Sequence, residues 1–342
     1  MHLSSPDLSV VIPVFNEAEH LTATIEALVV AVERSSFSVE LIVVDDGSTD
    51  GSADTVRRAL ADRLPLTVVT QPNRGRWIAR RAGVEAASRE WVLLLDGRCR
   101  LDPDALAFVE ARIAANASIW NGHVYVDTRG NPYGAFWNAL AEIAWREYFD
   151  NPRTTSFGSD DFDHYPKGTG CFLAPRRLLL EAIAGFRTSY SDTRFVSDDT
   201  GLIRWLAERH RIHVSPGFSC VYAPRANLKA FLRQAVYRGS TFVDGHGRPE
   251  SRFFPVAVAF FPVSAGLAVL TARRPSLLPP LAIGTSVAAA CVAAATRRSR
   301  FEVVSFALLV PPYAVAHGLG MWRGLAMAVE TRVTSDRSGG GH

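Results

Sequence analysis

Two adjacent carboxylates, Asp45 and Asp46, follow a short apolar run and precede a turn rich in glycine, serine and aspartate. The run, residues 41–44, is too short and too β-branched for a helix, so it predicts a buried strand that ends at the edge of a sheet. Another carboxylate, Asp96, ends a similar run at residues 91–95. Ligands of open α/β sheets bind beyond the carboxyl ends of the strands, which favours a site for phosphates and a hard divalent cation here. The alternative is that the carboxylates in the turn only cap a helix.

Basic residues gather around a glycine further along the chain. Arg74, Arg80 and Arg81 flank Gly75 or lie in the helix that is predicted to begin near residue 77. Guanidinium groups match the geometry of phosphates, so this segment could face a diphosphate. The alternative is a basic helix face that is exposed to solvent.

The order of apolar patterns predicts the scaffold for these residues. A strand at residues 8–15 is followed by a helix at 21–32, a strand at 37–44, a helix at 52–61 and a strand at 66–70. This βαβαβ order predicts a parallel, twisted sheet that binds a nucleotide.

Composition excludes some classes of protein. The 342 residues include 37 basic and 34 acidic side chains, and a net charge of +3 gives no indication of nucleic-acid binding. The four cysteines lack paired spacing, so we expect neither a zinc site nor a disulfide framework. The first residues lack a basic region followed by an apolar core, so no cleaved signal is expected.

The last third of the chain is much more apolar than the rest. Residues 253–271, 277–296 and 303–321 are apolar over nearly the length that spans a bilayer, and arginines separate them. We therefore predict three transmembrane helices, with buried helices of a soluble domain as the alternative.

Four segments together resemble the amino-terminal half of the family 2 glycosyltransferases: VVIPVFNE, VVDDGSTDG, residues 73–80 and LLLDGR. The resemblance covers about the first 240 residues. It implies an α/β GT-A domain with a mostly parallel twisted sheet at residues 1–250, followed by an α-helical membrane segment at 251–334. The tail at 335–342 is predicted to be disordered.

The resemblance also implies roles for individual residues. The nucleotide-sugar-binding residues would be Pro13, Phe15, Glu17, Asp45, Asp46, Arg74, Gly75, Arg80, Arg98, Arg233 and Arg238. Asp96 would open a metal motif that usually reads Asp-x-Asp, but the third position here is Arg98. Either Asp96 holds Mg or Mn together with the diphosphate and water, or Arg98 itself supplies part of the positive charge.

The acceptor side would be shaped by Gly168, Thr169 and Gly170. The acidic pair Asp198 and Asp199 matches the pair that supplies the catalytic residues in the family, with Asp199 as the base that takes a proton from the acceptor hydroxyl. The alternative is that both aspartates only cap the following helix. The basic segment at 233–239 lacks the Gln-x-x-Arg-Trp spacing of processive enzymes, so polymer synthesis is not supported.

Together these features predict a membrane-bound inverting glycosyltransferase that moves a sugar from a nucleotide diphosphate to a hydroxyl of a lipid-linked or cell-envelope glycan. The alternatives are a polyprenyl-phosphate sugar synthase and a non-catalytic membrane scaffold that retains the nucleotide fold. The resemblance implies a multi-pass protein of the inner membrane whose catalytic domain faces the cytoplasm. The arginines at 297–300 agree with that orientation, whereas Arg273 and Arg274 would lie outside. The sequence specifies neither the sugar nor the oligomeric state.

Overall fold

The computed structural model describes residues 6–115 and 118–339, and it describes side chains up to residue 334. Within these limits the chain forms two compact units, each assembled from separate segments. The first unit contains Met1–Tyr125, Glu147–Arg187 and Asp198–Ala223. The second unit contains Val126–Arg146, Thr188–Ser197 and Pro224–His342. The predicted division of the chain at residue 250 stays a prediction.

The described strands form one sheet in the first unit. They are β1 (Asp7–Val14), β2 (Ser38–Asp45), β3 (Leu66–Thr70), β4 (Trp91–Leu95), β5 (Cys99–Leu101), β6 (Trp120–Val126), β7 (Thr155–Phe157), β8 (Cys171–Pro175) and β9 (Ile212–Tyr222). Their order is β3-β2-β1-β4-β8-β6-β9-β5, and β7 pairs with β9.

The helices cover much of the remaining chain. They are α1 (Ala18–Glu33), α2 (Ser52–Leu60), α3 (Arg76–Ala86), α4 (Ala105–Ile113), α5 (Pro132–Ala144), α6 (Arg146–Phe149), α7 (Arg176–Gly185), α8 (Asp198–Ala207), α9 (Leu228–His246), α10 (Phe254–Arg273), α11 (Leu278–Ala295) and α12 (Arg300–Gly339). Three short 3₁₀ turns occupy residues 162–164, 193–195 and 275–277.

The predicted α/β class is confirmed, and the sheet is mixed. The four strands β3, β2, β1 and β4 run parallel, as the βαβαβ order predicts. The ladders of β4 with β8, β6 with β8, and β9 with β5 and β7 are antiparallel. The parallel strands are joined by crossover helices. A much longer segment of the chain separates β4 from its neighbour β8, so β8 can run antiparallel to β4.

The parallel strands β1, β2 and β4 are largely buried because helices cover them. Val10, Val11 and Leu93 have no exposed surface. The helix α3 packs closely on this layer at Gly83, where a Cβ would stand 2.2 Å from Cγ1 of Val11. A side chain at this position would push α3, and the loop before it, away from the sheet.

Residues 151–167 are rich in polar side chains, and the structure gives them packed elements. They contain β7 and a 3₁₀ turn, and the Phe162 ring is buried. Asp163 is also buried and lies 3.6 Å from Nζ of Lys167 and 3.5 Å from Nη2 of Arg204. Asp163 therefore belongs to a buried ionic cluster and is not exposed to solvent.

Three cysteines that are distant in sequence are buried in the first unit as free thiols: Cys99, Cys171 and Cys220. A hydrogen bond with Cys220 and burial raise the pKa of the Cys99 thiol well above its ordinary value. Cys99 therefore stays protonated and unreactive near neutral pH.

The stability of the first unit is expected to fall between pH 6.5 and pH 4 because of His123. This side chain is buried, its Nδ1 lies 2.8 Å from the Tyr148 hydroxyl, and burial lowers its pKa from 6.5 to about 4. Below pH 6.5 the ring binds a proton in the unfolded state, whereas in the folded state it stays neutral down to about pH 4. The free energy of unfolding is therefore lower by about 2 kcal/mol at pH 5.

Melting temperatures at pH 7.5 and pH 5 test this prediction. The variant His123→Gln, which has no titrating ring, should lose less stability than the wild type, by roughly 5 °C. His213, whose pKa is lowered by burial and by Arg211, titrates in both proteins and cancels in the comparison. Equal losses in the two proteins would exclude His123 as the cause.

The second unit is helical. Its core consists of Phe136 and Trp137 on α5, Phe231 on α9, Phe306 on α12 and alanines of α11. The buried carboxylate of Asp244 on α9 accepts hydrogen bonds from the Thr188 hydroxyl and from the backbone N–H groups of Ser189 and Ser197. These bonds hold residues 188–197 along α9.

Three helices of the second unit are long and apolar enough to cross a membrane: Phe254–Arg273, Pro275–Ala295 and Arg300–Thr334. They leave large apolar side chains exposed, including Val256 at 65%, Ile283 at 64% and Leu308 at 68%. Apolar surface on this scale is typical of contact with lipid.

The carboxyl-terminal helix is continuous. The helix α12 extends from Arg300 to Gly339, through the segment at 322–333 and into the tail that was predicted to be disordered from residue 335. Residues 340–342 of that tail lie outside the described residues.

Candidate active site

The carboxyl ends of β1, β2 and β4 meet at one edge of the sheet, as predicted. Val14 pairs with Asp45, and Val11 pairs with Leu94, two residues before Asp96. The edge therefore collects Pro13 in β1, Phe15 just after it, the acidic pair after β2 and Asp96 after β4. Phe15 exposes 46% of its surface.

The turn after β2 is shaped by two glycines in the left-handed region, Gly47 at φ 81° and Gly51 at φ 79°. Between them the Ser48 N–H donates to Oδ1 of Asp45 at 2.8 Å. Oδ1 of Asp50 accepts from the N–H of Ser52, and Oδ2 accepts from that of Ala18, each at 3.0 Å. One carboxylate thus caps both α1 and α2 and fixes the distance between the loops.

Asp46 organises the next loop. Its Oδ1 accepts from Nε2 of Gln71 at 2.7 Å and from the Arg74 N–H at 2.9 Å, and its Oδ2 accepts from the Gly75 N–H at 2.9 Å. Gly75, at φ 91° and ψ 163°, adopts a conformation that only glycine adopts readily. Asp46 therefore positions the segment that leads into α3.

The centre of the site is the buried guanidinium of Arg80, which is 4% exposed. Its Nη2 donates to Oδ1 of Asp96 at 2.6 Å, and its Nη1 donates to Oδ2 of Asp198 at 2.5 Å. Asp198 is the first residue of α8 and is 2% exposed. One cation therefore joins the end of β4 to the start of α8.

This arrangement keeps Arg80 and Asp96 ionised. Burial raises the pKa of Asp96, but the charges of Arg80 and Arg76 outweigh it and hold that pKa below the ordinary value. Burial likewise lowers the pKa of Arg80, but Asp198 and Asp96 raise it further, so the guanidinium stays charged. A buried charge of this kind is tolerated because it is paired on both sides.

Arg98, which stands where the family has a second carboxylate, is paired within the protein. Its Nε lies 2.6 Å from Oε2 of Glu17, and its Nη1 donates to the Ala223 carbonyl at 3.4 Å. Both side chains are largely buried, with 10% of Arg98 and 14% of Glu17 exposed. The pair connects the start of α1 to the turn after β4.

The donor set at Asp96 fits a cation that is coordinated mainly by its substrate. Among the described residues, no group of three or more His, Cys, Asp or Glu side chains could hold a metal ion. Oδ1 of Asp96 is bound to Arg80, and Oδ2 faces Gly170, where a Cβ would approach it to 2.9 Å. Mg²⁺ is often bound by one carboxylate together with phosphates and water, and Asp96 is the carboxylate that this site offers.

The acceptor-side residues lie beside this centre. The Gly170 carbonyl accepts the Asp96 N–H at 2.9 Å. Thr169 is 2% exposed, and its hydroxyl has no hydrogen-bond partner within the described part of the chain. Asp199 is partly exposed, and its Oδ1 accepts the Thr200 N–H at 2.9 Å.

Most of the predicted site residues thus belong to the first unit, and the structure brings them to one sheet edge. Arg233 and Arg238 are exposed residues of α9 in the second unit, and their part in the reaction stays a prediction. Sequence reasoning missed Gln71, whose amide binds Asp46, and the pairing of Arg80 with Asp198. Neither shows in the sequence, because the partners are 25 and 118 residues apart.

Replacing Gly170 with alanine is expected to displace Asp96, because the new Cβ would stand 2.9 Å from Oδ2 and 3.3 Å from Cγ. We expect a tenfold or greater loss of donor affinity, measured by titration calorimetry, and a loss of stability of about 1–3 kcal/mol. Gly168→Ala is the matched control for stability, since among the described residues no atom lies within 4 Å of its Cβ position. Equal stability of the two variants would contradict the prediction.

Comparison with known proteins defines the class. The model of the Glycosyl transferase family 2 matches residues 9–172, which include β1, β2, β4 and the Arg80–Asp96 pair. The mannosyltransferase PcManGT from Pyrobaculum calidifontis, solved with GDP-Man and Mn²⁺, has a TM-score of 0.54 and 20% identity over 94% of this chain and 88% of that one. Residues 1–349 of S. aureus TarS, solved with UDP, have a TM-score of 0.51 and 15% sequence identity. The similarity covers 96% of this chain and 92% of that one. These similarities show a GT-A fold.

Residues 9–172 therefore form a domain of the glycosyltransferase family 2 type. A curated relative, undecaprenyl-phosphate 4-deoxy-4-formamido-L-arabinose transferase of Pseudomonas syringae, is 29% identical over 53% of this chain and 50% of its own length. Dodecaprenyl-phosphate galacturonate synthase of Rhizobium johnstonii is 34% identical over 30% of each chain. The succinoglycan biosynthesis protein ExoO of Rhizobium meliloti is 34% identical over 33% of this chain and 32% of its own length. The chain thus spans between about a third and a half of the length of these relatives.

Proposed function

We propose that this membrane protein is an inverting glycosyltransferase that moves a sugar from a nucleotide diphosphate to a hydroxyl of a lipid-linked or cell-envelope glycan. The observation that carries the proposal is the buried Arg80, which binds Asp96 and Asp198 at once. Asp199 follows Asp198 directly. The same cation therefore binds the residue assigned to the donor diphosphate, Asp96, and the chain neighbour of the residue assigned to the acceptor, Asp199.

The donor would bind across the carboxyl ends of the strands. Pro13 and Phe15 line the nucleoside pocket and Asp45 contacts the base, while Asp46 holds the loop whose residues Arg74 and Gly75 face the diphosphate. Asp96 would hold Mg²⁺ or Mn²⁺, and such an ion, when bound, would neutralise charge on the diphosphate. The buried position of Arg98 supports a role in the local electrostatics and in fixing Glu17, rather than in direct contact with phosphate.

The reaction would be a single displacement. Asp199 takes the proton of the acceptor hydroxyl as its oxygen forms a bond to the anomeric carbon, and the bond from that carbon to the diphosphate oxygen breaks. Attack from the face opposite to the leaving group inverts the anomeric centre. Asp198 keeps α8 in place through Arg80, so the carboxylate of Asp199 starts from a fixed backbone.

The names of the relatives favour a second candidate, transfer of the sugar to a polyprenyl phosphate. Two of the similar proteins are named for undecaprenyl or dodecaprenyl phosphate. Such an acceptor is already ionised at neutral pH and needs no base. In both versions we place the protein across the inner membrane several times, with the first unit facing the cytoplasm, where nucleotide sugars are made.

Release of nucleotide diphosphate from a panel of nucleotide sugars tests the proposal. Full-length protein in detergent is mixed with each donor, with and without Mn²⁺, and with a lipid extract of bacterial membranes as the source of acceptor. We expect release from one donor or a small set, dependent on the extract. If no donor released nucleotide diphosphate, the result would overturn the proposal and favour a scaffold that retains the nucleotide fold.

A further inference from the structure

Three buried polar atoms of the second unit lack hydrogen-bond partners within the described part of the chain. They are Nε1 of Trp137 on α5, Oε1 of Gln234 on α9 and Nδ1 of His317 on α12. Trp137 is only 6% exposed, so its N–H cannot be satisfied by bulk water. An unmatched buried donor costs about 1–3 kcal/mol, so the Trp137 N–H is open to a partner that the described part of the chain does not supply.

The rings of Trp137 and His317 belong to one contiguous cluster. The ring of Trp137 meets that of Tyr313 edge to face at 5.5 Å, and Tyr313 stacks on His317 at 5.1 Å. The helices α9 and α12 touch here without intervening side chains, since a Cβ at Gly239 would lie 2.1 Å from the His317 carbonyl oxygen.

A cation covers the cluster. The guanidinium of Arg238 lies over the Trp137 ring, 4.3 Å from its centre, while the residue itself is exposed. Its charge also acts on the side chains of Tyr313 and His317. The guanidinium and the indole N–H are both donors, so the cluster is built to receive an anion.

The surroundings identify the source of that anion. Phe136, Phe231 and Phe306 pack beside Trp137, and α12 is one of the three helices that could cross a membrane. Arginine is suited to phosphate, and the apolar side chains that α12 leaves exposed, such as Leu308, are suited to a hydrocarbon chain that continues from the phosphate. Soluble anions would gain nothing from the apolar part of the site.

We propose that Arg238 and Trp137 bind the phosphate group of a polyprenyl lipid, in the second unit, and that this site recognises the lipid end of the acceptor. Polyprenyl phosphate and lipid-linked glycans both carry such a group. The inference rests on the proposed function for its choice of a lipid acceptor, and it assigns Arg238 to the lipid instead of to the leaving diphosphate.

Lipid retention tests the proposal. Full-length protein in nanodiscs of neutral phosphatidylcholine is loaded with polyprenyl phosphate or with the polyprenol of equal length, and bound lipid is measured by native mass spectrometry. We expect the wild type to prefer the phosphate by at least tenfold. Trp137→Phe, which keeps the ring and removes the N–H, and Arg238→Gln should each reduce this preference about tenfold. Lys229→Gln, an exposed cation on the same helix, should leave it unchanged.

The arms of the experiment separate the possible sources of the anion. Equal retention of the phosphate and the alcohol, or an unchanged preference in both variants, would overturn the site. Displacement of the lipid by phosphatidylserine or by inorganic phosphate would show a general anion surface and would also overturn it. Donor binding on the same samples is measured separately, so a failure of the proposed transferase activity is distinguishable from a failure of the lipid site.

Discussion

Replacing Arg80 with methionine is expected to lower the free energy of unfolding by about 3–5 kcal/mol and to abolish sugar transfer. The guanidinium is 4% exposed and binds Asp96 at 2.6 Å and Asp198 at 2.5 Å. Methionine fills a similar volume but leaves two carboxylates without their shared cation. The melting temperature should fall by roughly 10 °C.

The loss of activity should exceed the loss that instability alone explains. Without Arg80 the two carboxylates repel each other, and both the end of β4 and the start of α8 lose their anchor. A displacement of about 1 Å at the reacting groups can reduce turnover about 100-fold. Activity is therefore compared at a temperature at which the variant is still folded, as judged by circular dichroism.

A second substitution tests whether repulsion between the unpaired carboxylates causes the loss of stability. In the variant Arg80→Met, a further change of Asp198→Asn removes one of the unpaired charges and should recover part of the stability. Arg81→Met is the control, because the exposed pair of Arg81 with Glu85 should contribute less than about 1 kcal/mol. If the double variant were no more stable than Arg80→Met, charge repulsion would not be the cause.

Replacing Asp199 with asparagine is expected to reduce turnover by about 100-fold to 10,000-fold if the acceptor is a hydroxyl. Asparagine keeps the size of the side chain and its bond to the Thr200 N–H, but it cannot accept a proton at neutral pH. The donor KM should change little, since Asp199 is assigned to the acceptor and not to the nucleotide.

The same variant distinguishes the two acceptor classes. Retained turnover in Asp199→Asn, with an unchanged melting temperature, would contradict the hydroxyl acceptor and support a polyprenyl phosphate. Asp54→Asn controls for the loss of a carboxylate at the start of a helix, because Asp54 is exposed and pairs only locally with Arg57 in the described contacts. Product analysis by mass spectrometry identifies the acceptor in either case.

The parallel strands and their carboxylates were predictable because their signal is local. Each of the runs 8–15, 41–44 and 91–95 is continuous, apolar and followed by a polar turn, which is the pattern of strands buried on both faces. Parallel strands joined by helices bring their carboxyl ends to one edge, so Asp45 and Asp96 could be placed together without coordinates. The three apolar helices followed from length and composition alone.

What the sequence hid were the partners of its charged side chains. Asp46 looked like a ligand-binding carboxylate, yet its oxygens accept three bonds from the loop that precedes α3. The polar stretch 151–167 looked solvated, yet Asp163 is buried beside Lys167 and Arg204. Polarity alone cannot tell a buried, paired charge from an exposed one, because pairing depends on the partner's position.

The sequence by itself determined the α/β class, the resemblance to family 2, the sheet edge that carries the candidate site and the apolar helices, since all of these are encoded in short, contiguous patterns. Only the tertiary structure decided how the charges are distributed: Arg80 between Asp96 and Asp198, Arg98 against Glu17, and Arg238 over Trp137. Electrostatic pairing acts over a few ångströms in space, irrespective of separation along the chain, so it becomes visible only when the chain is folded.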